Sequence, residues 1–115
     1  MSDSIKINKI NKSRIDDVDF NTLTFGSVFT DHMLECDFID GKWQKPVIKP
    51  YGPLSIDPSA SVFHYGQAVF EGMKAYKDDN NDVWLFRPDQ NQQRLNISAE
   101  RMDMPAFPKD LFYQV

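Results

Sequence analysis

Between Val28 and Phe86 the apolar positions come in short runs broken by turn-forming clusters, and after Pro88 they recur at helical spacing. From Val28 to Phe38 the chain is rich in Phe, Thr, Met, Leu and Cys. The Asp40-Gly41 pair that follows supplies positive φ angles to a tight turn, which predicts strand, turn and strand. The return arm runs through Trp43 and Val47-Ile48, and Pro46, which lacks an amide hydrogen, belongs at an edge or near a bulge. Pro50, Gly52, Pro53 and Pro58 punctuate a loop, after which Gln67 to Phe70 is expected to form a single helical turn. Met73 to Lys77 and Val83 to Phe86 flank the polar run Asp78 to Asp82, predicting a second hairpin. Pro88 suits a first helical turn, and Leu95, Ala99 and Met102 form a buried stripe, which predicts a helix from Pro88 to Met102 ended by Pro105 and Pro108. Another helix is expected to begin at Lys109. Residues 1–20 alternate basic and acidic groups with isolated Ile and Val, and are expected to lie over the surface or to be partly mobile.

The stretch His64 to Tyr76, HYGQAVFEGMKAY, sets two aromatics and two glycines in a pattern that core packing alone does not require. Tyr65, Phe70 and Gly72 read as one side of a cleft, with a phenol, an apolar wall and a place where backbone can approach a ligand closely. Arg94 lies one position before the buried stripe, so its guanidinium can leave the helix beside the core, and its fork of donors suits a phosphate. Most helix arginines are surface salt bridges or snorkelling side chains, so only context can assign Arg94 more than that. Asp78 to Asp82 lacks the glycine and distal glutamate of an EF-hand loop and reads as a solvated turn; no metal site is expected.

Composition narrows the class. A chain of 115 residues with 41% hydrophobic content can bury the core of one domain. The net charge of -4 and a pI near 5.0, with no basic stripe, argue against nucleic acid as a partner. Cys36 is the only cysteine, which excludes an internal disulfide and fits a reducing compartment. No apolar run approaches the ~18 to 20 residues that cross a bilayer, so a cytoplasmic location without membrane contact is expected.

Four ordered motifs share one resemblance: FGSVFTDHML at Phe25 to Leu34, W-x-x-P-x-I-x-P at Trp43 to Pro50, LSIDPSASVFHYGQAVFEGMKAY at Leu54 to Tyr76, and LFRPDQNQQRLNISAERM at Leu85 to Met102. Together they resemble the N-terminal domain of the branched-chain amino-acid aminotransferases, pyridoxal-phosphate enzymes of fold type IV. The resemblance implies an α/β small domain over residues 21–115, after the polar segment 1–20, with a two-layer mixed or antiparallel sheet packed against helices. It implies that Arg94 binds the 5'-phosphate of pyridoxal phosphate and that Tyr65 faces the cofactor linkage and substrate. Phe25, Phe70 and Gly72 would shape the pocket for a branched side chain. Glu71 and His64 are left with structural hydrogen bonds.

The implied reaction moves the amino group of leucine, isoleucine or valine to 2-oxoglutarate, in a homodimer. The lysine that binds the cofactor in the family belongs to a larger second domain, and Lys74 stands at a position the family does not use for it. The chain is therefore expected to be a fragment, inactive as a transaminase by itself. The resemblance leaves two alternatives: another fold-type-IV enzyme, a D-amino-acid aminotransferase or aminodeoxychorismate lyase, or a non-catalytic interaction module.

Overall fold

In the computed structural model, which describes residues 5–115, Asp40 and Gly41 take φ values of 50° and 76°. This is the pair of left-handed residues that a two-residue hairpin turn needs. Around the turn β3 (Phe38–Ile39) pairs antiparallel with β4 (Lys42–Trp43), placing Phe38 opposite Trp43 with ring centroids 5.1 Å apart. Further from the turn, β2 (His32–Glu35) pairs antiparallel with β5 (Val47–Pro50), Glu35 opposite Val47 and His32 opposite Pro50. The outgoing arm advances three residues from Glu35 to Phe38, while the return arm advances four from Trp43 to Val47. The extra residue is a bulge within 44–46, where Pro46 is buried without having to donate to a ladder, as its missing amide hydrogen requires. Gln44 closes the gap: its N–H donates to Asp37 O at 2.7 Å and its carbonyl accepts from Cys36 Sγ at 3.2 Å.

The outgoing strand begins at His32 rather than Val28, because the side chains just before it are engaged elsewhere. Asp31 accepts from Ser13 Oγ at 2.5 Å and from the Arg14 N–H at 3.0 Å, and Thr30 Oγ1 donates to His32 O at 2.5 Å. The Thr30 bond is local and competes with a ladder, whereas those of Asp31 tie the chain to residues 13 and 14. The same contacts fasten the N-terminal segment to the surface. β1 (Lys6–Ile7) runs parallel to β5, the N–H of Asn8 donates to Ile48 O at 2.8 Å, and the N–H of Ile10 donates to His32 Nε2 at 3.1 Å. The resulting sheet is mixed, in the order β1-β5-β2.

The chain divides into two compact units, one up to Ser55 and one over Ile56–Gln114. In the second, α1 (Ser61–Tyr65) precedes the position where a helical turn was expected. Gln67 to Phe70 is not helical, because Gly66, at φ 62° and ψ 27°, ends α1 in the left-handed conformation. Beyond it the Gln67 amide donates to Met102 O at 2.8 Å. β6 (Ala75–Lys77) and β7 (Val83–Leu85) form the second hairpin, with Tyr76 opposite Trp84. Its loop is organised by one carboxylate: Asp78 Oδ1 accepts the N–H groups of Asn80 and Asp82, both at 2.9 Å, and Oδ2 accepts Trp84 Nε1 at 2.9 Å.

α2 (Pro88–Arg101) carries Pro at its first turn and buries Gln92 and Ala99, with Leu95 and Met102 half-buried beside them. Its end lies before the prolines. Asp103 takes φ 54°, its N–H donates to Glu100 O at 3.1 Å, and the N–H of Met104 donates to Ala99 O at 2.8 Å, which together make a Schellman cap with aspartate where glycine is usual. Asp103→Gly should therefore raise stability by about 0.5 kcal/mol, the relief of left-handed strain outweighing the added entropy of glycine in the unfolded chain, as urea unfolding would record. Asn96 then fastens the outgoing chain to α2: Nδ2 donates to Phe107 O at 3.0 Å and Oδ1 accepts the Phe107 N–H at 2.8 Å. α3 (Lys109–Gln114) follows as expected.

The chain is thus mixed α/β, but among the described residues its strands are shared by three small sheets, order β1-β5-β2, β3-β4 and β6-β7, where one sheet layer was expected. Bulge and turn cut the first hairpin into separate ladders, and the second hairpin lies in the other unit.

Candidate functional site

The 3.6-residue period of α2 sets Asn91 and Arg94 on neighbouring positions of one face, three residues apart. Glu71, from the irregular segment ahead of β6, meets both. Its Oε2 accepts Arg94 Nε at 2.7 Å, and its Oε1 accepts Arg94 Nη2, Asn91 Nδ2 at 3.0 Å and the Gly72 N–H at 3.1 Å. Asn91 Nδ2 also donates to Gly72 O at 3.0 Å. The Glu71 side chain is 7% exposed while that of Arg94 is 67% exposed, so the acid is set into the protein and the base stands outermost. The guanidinium holds the Glu71 carboxyl down at about 2, with the Asn91 and Gly72 donors adding to the effect, and the carboxylate raises Arg94 in turn.

Because the Glu71 pKa falls from 4.5 to about 2, the pair's contribution to stability is complete above pH 4.5 and is lost as pH falls through about 2. Glu71→Gln should flatten the decline of stability between those two values, which an acid-unfolding series of the two proteins would register.

Arg94 also borders an open cleft of about 500 Å³, together with Phe86, Arg87, Gln90, Gln93 and Ile97. Of the five residues singled out from sequence, the structure brings Arg94 and Gly72 together, through Glu71 and Asn91. Phe70 precedes Glu71 and is 91% exposed, and Tyr65 is the last residue of α1 and is 85% exposed. Phe25 belongs to the first unit, where it is fully exposed. Lys74 is exposed just ahead of β6. Glu71 and His64 have the structural hydrogen bonds expected of them, His64 through Nε2 at 2.7 Å from Pro58 O. Asn91 was not anticipated; its one signal in the sequence is the three-residue spacing from Arg94.

A guanidinium has five N–H donors, of which Glu71 takes two from one edge. The other edge, Nη1 with the second hydrogen of Nη2, keeps the geometry that binds a phosphate or carboxylate in two parallel hydrogen bonds. Arg94 thus has the donors to hold the phosphate of pyridoxal phosphate, and its exposure leaves that edge accessible. Among the described residues no group of three His, Cys, Asp or Glu is arranged to hold a metal ion, and no helix is long and apolar enough to cross a membrane.

No family model matches the chain. Against curated proteins it is 57% identical over 94 residues to the branched-chain-amino-acid transaminase 1 of Bacillus subtilis (strain 168), a match covering 81% of this chain and 26% of that protein. Over the matched stretch this chain is a homologue of branched-chain amino-acid transaminases. The cytosolic branched-chain-amino-acid aminotransferase of Saccharomyces cerevisiae (strain ATCC 204508 / S288c) is 53% identical over 91 residues, 77% of this chain and 24% of the yeast protein. A probable branched-chain-amino-acid aminotransferase of Staphylococcus aureus (strain MRSA252) is 48% identical over 106 residues, 91% of this chain and 29% of the relative. The chain spans about a quarter of the length of the curated relatives it matches.

Proposed function

We propose that this chain is the N-terminal part of a branched-chain amino-acid aminotransferase, the small domain of a fold-type-IV pyridoxal-phosphate enzyme beginning near residue 21. The whole protein would transfer the amino group of leucine, isoleucine or valine reversibly to 2-oxoglutarate. The observation that carries this reading is the 57% identity over 94 residues, which is too high over too long a stretch to reflect a shared fold alone.

In this reading Arg94 binds the cofactor's phosphate through the guanidinium edge that Glu71 leaves open. When bound, the cofactor serves as the sink for the electron pair released at the substrate's Cα. Tyr65 presents a phenol toward the reacting end of the substrate, and Phe25, Phe70 and Gly72 form apolar surface and space for a branched side chain. The exposure of the three aromatic rings supports this assignment, since an apolar wall completed by the rest of the protein is bare in this chain alone. The same reasoning supports a homodimer in which further exposed aromatics, Trp84 and Phe86 among them, would be covered, and the whole protein is proposed to be cytoplasmic.

Supplying the longer protein with leucine, D-alanine and aminodeoxychorismate is the decisive assay. Turnover of leucine with 2-oxoglutarate is expected, and turnover of only the other two would replace this reading with a different fold-type-IV reaction. This chain by itself should show no transamination, because the family resemblance assigns the cofactor-binding lysine to a larger second domain, and Lys74, exposed just ahead of β6, is not among the residues lining the Arg94 cleft.

A further inference from the structure

We propose that Glu71 is a positioning residue for anion binding at Arg94: its inset carboxylate grips one edge of the guanidinium and so aims the opposite edge at the cofactor's phosphate. The inference rests on the function proposed above and extends it to a residue whose role in the sequence is structural.

Three features of the cluster support it. First, the order of burial is unusual for a surface ion pair, with the carboxylate 7% exposed and its partner 67% exposed. An arginine that exposed is ordinarily free to sample many rotamers. Here both Nε and Nη2 are held, which fixes the plane of the guanidinium as well as its position. Second, the carboxylate itself cannot swing. Gly72, from the adjoining backbone, and Asn91, from one turn earlier on α2, both donate to Oε1, and Asn91 reaches Gly72 O as well. Third, the two bonds to Glu71 use one edge and leave three N–H donors, two of them parallel on the opposite edge in the arrangement that bonds a phosphate bidentately. Holding the side chain in its binding geometry beforehand removes an ordering cost from the binding step. The pair's charges nearly cancel, so recognition at this edge depends on directed donors, and those depend on Glu71.

The test uses the longer protein in its apo form, titrated with pyridoxal phosphate and with pyridoxal, which lacks the phosphate. Glu71→Gln keeps one acceptor but turns an amide N–H₂ toward the guanidinium, and Glu71→Ala removes the grip. Either should weaken pyridoxal phosphate roughly five- to tenfold and leave pyridoxal unchanged. In an Arg94→Ala background the same substitutions should have no further effect. Asn91→Ala should shift the affinity in the same direction by less. If Glu71→Ala fails to fold, Glu71→Gln and Asn91→Ala decide the matter.

Equal loss for both ligands, or folded Glu71 variants with parental affinity beside a weakened Arg94→Ala, would overturn the positioning role and leave the phosphate role of Arg94 standing. Parental affinity in Arg94→Ala itself would overturn both.

Discussion

Arg94→Ala should cost the longer protein roughly a hundredfold in affinity for pyridoxal phosphate, about tenfold for each of the two charge-assisted hydrogen bonds that the open guanidinium edge can make. Spectroscopic titration of the apo protein measures it directly. Arg94→Lys should recover only part of the loss, because an ammonium cannot bond Glu71 with one edge and a phosphate with another. The substitution also leaves the Glu71 carboxylate, 7% exposed, with only Asn91 and Gly72 as partners, so its hold on a proton at low pH should return toward the ordinary range. A variant that keeps its cofactor as tightly as the parent would remove the central contact of the proposed site.

Asn96→Ala is expected to be the most damaging substitution for stability outside that site, at about 2 kcal/mol in urea or thermal unfolding. The amide of Asn96 bonds both the N–H and the C=O of Phe107, and both bonds are part-buried. Truncation leaves a backbone donor and a backbone acceptor without that partner at the point where the chain turns from α2 toward α3. Asn96→Asp preserves the acceptor for the Phe107 N–H but sets a carboxylate against the Phe107 carbonyl, so it should recover less than half of the loss.

Patterning disclosed the elements more fully than their ends. The helical stripe of Leu95, Ala99 and Met102 and the Asp40-Gly41 turn are local signals, and α2 and the first hairpin stand where they place them. Pro46 pointed to an edge or a bulge because one missing hydrogen is a property of the residue alone, and the register settles on the bulge. The misplaced helical turn and the unforeseen terminator of α2, whose end falls within one residue of the expected Met102, have a common cause: each boundary is set by one residue in the left-handed region, Gly66 and Asp103, and propensity summed over neighbours does not resolve a single backbone conformation. The start of β2 was missed for another reason. Asp31 and Thr30 lie in a run that reads as strand, yet their side chains are bonded to residues 13 and 14 and to His32, partners that no local window contains for Asp31.

The candidate site divides in the same way. Arg94 was legible because the chemistry of a guanidinium beside a buried stripe is local, and the four motifs supplied the context. Its grip by Glu71 spans 23 residues of sequence and required the fold. Asn91 completes that grip from a position that polar helix residues commonly occupy without any such duty, which is why nothing marked it beforehand.

The additional residue between Trp43 and Val47 gives the return arm one residue of slack. Losing one codon there would let both ladders share a single register, with Phe38 still opposite Trp43 and Glu35 still opposite Val47, so Ile48 and Lys49 would keep their sides and only the bulge would go. The ion pair of Lys49 with Glu35, at 2.6 Å across the ladder, would survive that deletion. A second deletion would leave the arm one residue short and send Ile48 to the side now taken by Lys49, so viable descendants of this gene should shed one residue within 44–46 far more readily than two.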